Sequence, residues 1–200
     1  MSILTDPRYV VPPVPDAPRG VAWLRASVAR FSSGETHRRR RALVVALLDT
    51  VPPDSLRGRT GHPVAVLARA LDLDAPVEWV ADVAQAYQPG TGDEARADDA
   101  TDRLVRRLGG AYDEATAARI GLLVQACQAT LHLVDRTRTT PLDVVLRDDP
   151  PAPSTKRLAP NGEIVRVPLA GDLAFGAGPH ACPGRAHALA LAGLPEAATP

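Results

Sequence analysis

Phe175-Gly176-Ala177-Gly178-Pro179-His180-Ala181-Cys182-Pro183-Gly184 is the stretch on which the reading of this chain turns. It holds an aromatic ring, three glycines, a histidine and one of the two cysteines. A packed core has no need of that mixture. Glycine lets backbone turn through conformations closed to other residues and approach a ligand closely. The stretch runs straight into an Ala/Leu-rich segment that ends near Leu191 and reads as a helix. Pro183 suits the first turn of that helix, where its missing N–H costs nothing. A cysteine just ahead of a helix start lies where the helix dipole favours the thiolate, the metal-binding form.

Three readings of Cys182 follow from its chemistry. Free cysteine is among the most buried residue types, so a structural thiol is one. Zinc is another: His180, Cys182 and His187 are N/S ligands, and His132 or Cys127 could complete four. Zinc sites, however, use wider spacings such as Cys-x2-4-Cys, and His180-x-Cys182 is tight for chelating one ion. The third reading is iron, for which a cysteine thiolate can be the axial ligand of a haem.

Upstream, the first twenty residues carry Pro7, Pro12, Pro13, Pro15 and Pro18 and read as an extended lead-in. Helix signals begin near Val21. Ser32-Ser33-Gly34-Glu35 has the form of a capping box, predicting a helix over 33–49 that stops before Pro52-Pro53. Further helices are expected over 63–71, 77–87 and 93–108. Asp113 is placed to cap another that runs to about Asp135. Its apolar residues Ile120, Val124, Cys127, Leu131 and Val134 form one helical stripe. A short helix over 141–147 precedes two strand-like segments flanking Pro160-Asn161-Gly162, a hairpin signal. The expected class is mainly α with a small β hairpin.

Composition narrows the function. The 200 residues are 45% hydrophobic, enough for a core, and net charge is zero, so no global field points to nucleic acid. Abundant Ala, Val, Pro and Arg, with Lys156 the single lysine, point to a GC-rich bacterial source. No basic segment followed by an apolar run marks a signal peptide, and no apolar run reads as long enough to span a bilayer. With two cysteines, the expectation is a cytoplasmic protein with reduced thiols and no membrane or nucleic-acid partner.

Position for position, 175–184 resembles the haem-ligand loop of cytochromes P450, Phe-Gly-x-Gly-x-His-x-Cys-x-Gly. The resemblance implies that Cys182 is the axial thiolate and that loop N–H groups point at its sulfur. It implies that Gly176, Gly178 and Gly184 shape the turn, that Phe175 shields the thiolate and that His180 pairs with a haem propionate. The segment from Phe31 to Arg41 resembles the family helix carrying His-x-x-x-Arg, which makes His37 and Arg41 propionate clamps. Ser154 to Ala159 resembles the strand whose arginine, here Arg157, reaches a propionate. Ala126-Cys127-Gln128-Ala129-Thr130 is similar to the Ala-Gly-x-(Asp/Glu)-Thr of the long helix above the haem. Thr130 would then be the oxygen-side hydroxyl, with Ala129 standing where the family has an acid. Val144 to Arg147 falls on Glu-x-x-Arg, with Val144 replacing the glutamate and Asp143 the nearest substitute carboxylate. Thr5-Asp6-Pro7-Arg8 looks like the start of the family's B region.

The resemblance implies one reduced P450-like haem-binding domain over 1–200. It is roughly half the family's length, without its N-terminal sheet and with little between Leu169 and the cysteine loop. It implies a haem-thiolate oxidoreductase acting on a small organic substrate, monooxygenase-type or peroxide-driven. A ferredoxin-type electron donor would dock on the arginines beside His37. Ala129 and Val144 break two family patterns, which leaves peroxide-driven or non-redox haem chemistry open. A second reading, motivated by the lost substrate-side elements, is a catalytically degenerate haem-binding accessory or sensor. A third is a metal-free helical interaction protein using the arginine cluster on an acidic partner.

Overall fold

Eight α-helices and one β-hairpin make up residues 2–194, the part described by the computed structural model. The lead-in is only partly extended: the Thr5 and Asp6 N–H groups close turns on the Ser2 carbonyl and the Tyr9 N–H on that of Asp6, so the proline-rich stretch over 11–17 alone matches the expectation. Val10 forms an isolated antiparallel bridge with Leu158, which ties the lead-in to the hairpin. Helix α1 (Gly20–Ser27) and a 3-10 turn (Ala29–Phe31) lead into α2 (Gly34–Leu48).

The expected capping box at the start of α2 does not form. Ser32 Oγ donates back to the carbonyls of Val28 and Ala29 at 3.2 and 3.0 Å. Ser33 Oγ accepts the Val11 N–H at 3.1 Å, and Glu35 turns to Arg38. The hydroxyls are taken by the preceding turn and the lead-in, partners that sequence proximity within the helix does not reveal.

Helices α3 (Pro63–Ala70), α4 (Val77–Gln85), α5 (Glu94–Leu108) and α6 (Glu114–Arg136) follow. Side chains close the N-termini of three: His62 accepts from Val64, Asp93 from Arg96 and Asp113 from Thr116. Such caps satisfy amides that the helix itself leaves unpaired.

Helix α6 is the axis of the core, with Ile120 and Leu123 wholly buried. Its buried face is not the continuous stripe the spacing predicted. Ile120, Val124 and Cys127 are buried, but Leu131 is 37% exposed, while Thr130 and Leu133 face inward. The reason is a change of neighbours: the C-terminal half packs Leu133 against Val145 and Leu189 rather than continuing along the main core. The expectation about apolar runs also needs correction. By length and composition α6 could cross a bilayer, although 56% of its most apolar window is buried against the rest of the fold.

Helix α7 (Leu142–Asp148), strands β1 (Ser154–Leu158) and β2 (Ile164–Pro168) and helix α8 (Arg185–Leu191) complete the chain. The strands are antiparallel, with Arg157 opposite Val165. Pro183 lies outside α8, whose N-cap is Gly184. Two small apolar clusters flank the main core: Leu4, Val167 and Leu169 under the hairpin, and Leu133, Val145 and Leu189 beside α8. The loop 175–184 spans them, with Ala177 against the first and Phe175 against the second.

Candidate functional site

Backbone hydrogen bonds hold the cysteine loop in a closed turn. The Cys182 N–H donates to the Phe175 carbonyl at 2.7 Å, and the Ala181 N–H to that of Gly178 at 3.0 Å. Gly176 and Gly178 take φ of +73° and +65°, the left-handed region that favours glycine. A Cβ on Gly178 would lie 2.8 Å from the Leu4 carbonyl oxygen, so the glycine lets the loop sit directly on the lead-in. The Gly184 N–H lies near enough to the Cys182 sulfur to favour its charged form. The Arg185 guanidinium lies 5.3 Å from the centre of the Phe175 ring.

Cys182 keeps solvent-accessible surface, yet protein crowds round its sulfur. Those surroundings push its thiol up. The Gly184 N–H, Arg41, Arg30 and Arg185 act against that but do not outweigh it. This corrects the thiolate expected from a helix start. Desolvation of the charged form wins, because α8 is only seven residues long and begins three positions later.

Four other residues named from the sequence gather around it. The His37 and His180 rings lie 3.9 Å apart, centre to centre. Burial, then His37, Arg157, Arg41 and Arg30, hold the His180 imidazole down at about 3. His37 is lowered by burial and by Arg41 and Arg157. Burial also lowers Arg41 and Arg157, the Cys182 charge opposing this at Arg41 and Arg30 adding to it at Arg157. Arg157 is 5% exposed and donates to Thr155 Oγ1 at 3.0 Å and to the Lys156 carbonyl at 2.9 Å. A cleft of about 380 Å³ adjoins the cluster, with His37, Arg41 and Pro179 in its wall.

Arg30 is the member that sequence reasoning missed. Its charge acts on His180, Cys182 and Arg157, and no motif in the chain marks it. Among the described residues Arg30, Arg41, Arg157 and Arg185 form no ion pair. The neighbouring arginines differ. Arg38 pairs with Glu35, while Arg39 and Arg40 share Glu114 at 2.8 Å each, holding its carboxyl down at about 2. The face expected to dock an acidic donor is thus largely engaged within the chain.

Other candidates lie elsewhere or point differently. Thr130 is buried on α6, one turn before the Leu133 that packs with Phe175's cluster. Arg147 pairs with Asp148 at 3.0 Å on the surface, so Asp143 does not replace the missing glutamate as its partner. His187 Nε2 lies 2.8 Å from the Val51 carbonyl and 3.2 Å from that of Leu48, fastening α8 to the end of α2. That removes it from the zinc set, and no group of three His, Cys, Asp or Glu among the described residues could hold a metal ion.

The residues present do fit a haem. Porphyrin nitrogens already occupy the plane of its iron, so one protein sulfur suffices where a bare ion needs several ligands. Its propionates would supply the carboxylates that Arg30, Arg41 and Arg157 lack, as buried charge requires, and could accept from the two neutral imidazoles.

No protein-family model matches the chain, and no curated protein matches its sequence. Twelve chains of solved structures match. One is a crystal structure of P450BioI in complex with hexadec-9Z-enoic acid ligated acyl carrier protein. It superposes with a TM-score of 0.58 at 17% sequence identity, covering 96% of this chain and 80% of that one. The described residues are therefore mainly helical with one antiparallel hairpin, in a fold similar to that of a cytochrome P450.

Proposed function

We propose that this chain is a P450-like haem-thiolate oxidoreductase of a reducing cytoplasm, with Cys182 as the axial ligand and a small organic molecule as substrate. The observation that carries the proposal is a group of unpaired cations around an accessible cysteine. His37, His180, Arg41 and Arg157 hold the propionates and set the orientation of the ring. As a ligand Cys182 would be in its thiolate form, whose charge the Gly184 N–H and Arg41 favour. Phe175 keeps water from one side of the sulfur. A haem held by a thiolate supplies redox chemistry at iron and favours O–O cleavage.

Thr130 is the hydroxyl on the opposite side, and Ala129 leaves it without a neighbouring acid. That favours peroxide, which brings its own protons, over oxygen with electrons from a ferredoxin-type donor. The same absence, with Val144 and the surface-turned Arg147, supports the second reading, a haem-binding accessory or sensor.

The test is the spectrum of the reduced, CO-bound protein after expression with a haem supply. A red-shifted thiolate-type Soret band, lost in Cys182→Ala, is expected. Failure to take up haem sinks both readings. Peroxide-driven turnover then separates them. The similar P450BioI structure holds an acyl chain on a carrier protein, so hexadec-9Z-enoic acid, free and carrier-bound, is the first substrate to try.

A further inference from the structure

A second concavity of about 240 Å³ lies between the end of α2, the 3-10 turn Pro53–Leu56 and α3. Val51, Leu56 and Val66 give it a buried apolar floor. Arg59 and Arg69 stand in its wall. Arg59 donates through Nε to the Ser55 carbonyl at 3.2 Å. Neither arginine meets a carboxylate among the described residues. Arg57, two positions from Arg59, is neutralised by Asp54 at 2.7 Å. The recess thus keeps two uncompensated guanidinium forks, which match phosphate oxygens bidentately.

Thr50 and Ser55 complete the wall. Their hydroxyl protons are already committed to the carbonyls of Leu47 and Pro52, each at 2.7 Å. What remains on both oxygens is lone-pair capacity, which accepts from a ligand O–H. At about 240 Å³ the recess has room for a ligand of several non-hydrogen atoms.

We infer that this recess binds a small organic phosphate monoester carrying at least one hydroxyl group. The phosphoryl oxygens lie between Arg59 and Arg69, the hydroxyl meets Thr50 and Ser55, and the carbon skeleton covers the apolar floor. A carboxylate, with one charge and two oxygens, leaves one fork unsatisfied. A phosphate monoester carries close to two charges and three acceptor oxygens. The site is separate from Cys182 and does not depend on the proposed haem.

Isothermal titration of the purified chain with glycerol 3-phosphate, inorganic phosphate and glycerol tests it. One equivalent of glycerol 3-phosphate is expected to bind, inorganic phosphate more weakly, and glycerol not measurably. Arg59→Ala and Arg69→Ala should each weaken binding roughly ten- to a hundredfold, the loss of a charge-assisted contact. Both side chains are exposed, and unchanged thermal melts will show that the variants fold. Absence of binding at millimolar glycerol 3-phosphate, affinity untouched by either substitution, or equal affinity for inorganic phosphate would each overturn the assignment.

Discussion

His180 records the burial of the site first and its excess of positive charge second. Its imidazole is held at about 3 in the fold against 6.5 for the free side chain. Between those values the unfolded chain binds more protons, so folding stability is lost as pH falls through that window. Urea unfolding of the haem-free protein at pH 7 and pH 4.5 should show the loss, and His180→Gln should flatten it. Gly178 is the second sensitive position. Alanine there costs about 1–2 kcal/mol of left-handed backbone strain before its contact with Leu4 is counted. Chemical denaturation should show at least that deficit. Cys182, His37, Arg41 and Arg157 could be named as neighbours because each sits in a short motif that resembles one of the P450 family. Arg30 could not, because its place among them comes from folding alone. Ser32 and Ser33 show the opposite failure, a local pattern overridden by acceptors and donors from the turn before and from Val11.

Among the elements, α6 shows how far periodicity can be read. Its length and its Asp113 cap were evident, because a cap and an apolar repeat are local properties. Its buried face was evident only as far as Cys127, because beyond that point α7 and α8 decide which side is inward. The two halves should respond differently to substitution. Leu123→Ala removes a wholly buried side chain and should cost about 2–5 kcal/mol. Leu131→Gln should change stability by no more than about 0.5 kcal/mol, as surface replacements do. Equal losses at both positions, measured by denaturant unfolding, would restore the continuous stripe. Arg25 joins α1 to the end of α4 and the start of α5. It is 6% exposed and donates to the backbone carbonyls of Ala86 and Tyr87 and to Glu94. Arg25→Met, which keeps the bulk and removes the donors, should cost roughly 1–3 kcal/mol for the acceptors left unpaired.

For the whole molecule, unpaired cations around Cys182 make the haem-free fold work against its own charge. A ligand that binds only the folded state stabilises it, by about 2.7 kcal/mol at a hundred times its dissociation constant. Haem should therefore raise the melting temperature, and more so for this chain than for one whose arginines already had carboxylate partners. A melting curve indifferent to haem would count against the proposed cofactor. The mainly helical class and the hairpin were read correctly from local signals. The engagement of Arg39 and Arg40 by Glu114 was not, since those residues are more than seventy positions apart.

His187 has one more consequence, in the order of events during synthesis. It binds the Val51 carbonyl across 136 positions, and Arg57 reaches the Leu194 carbonyl across 137. The N-terminal half can therefore leave the ribosome carrying His37 and Arg41 but without the Cys182 loop. The sulfur arrives only with the last segment, and its loop is fastened by contacts to parts of the chain made long before. A nascent chain stalled before Phe175 would be a cationic half-site, open to any passing anion.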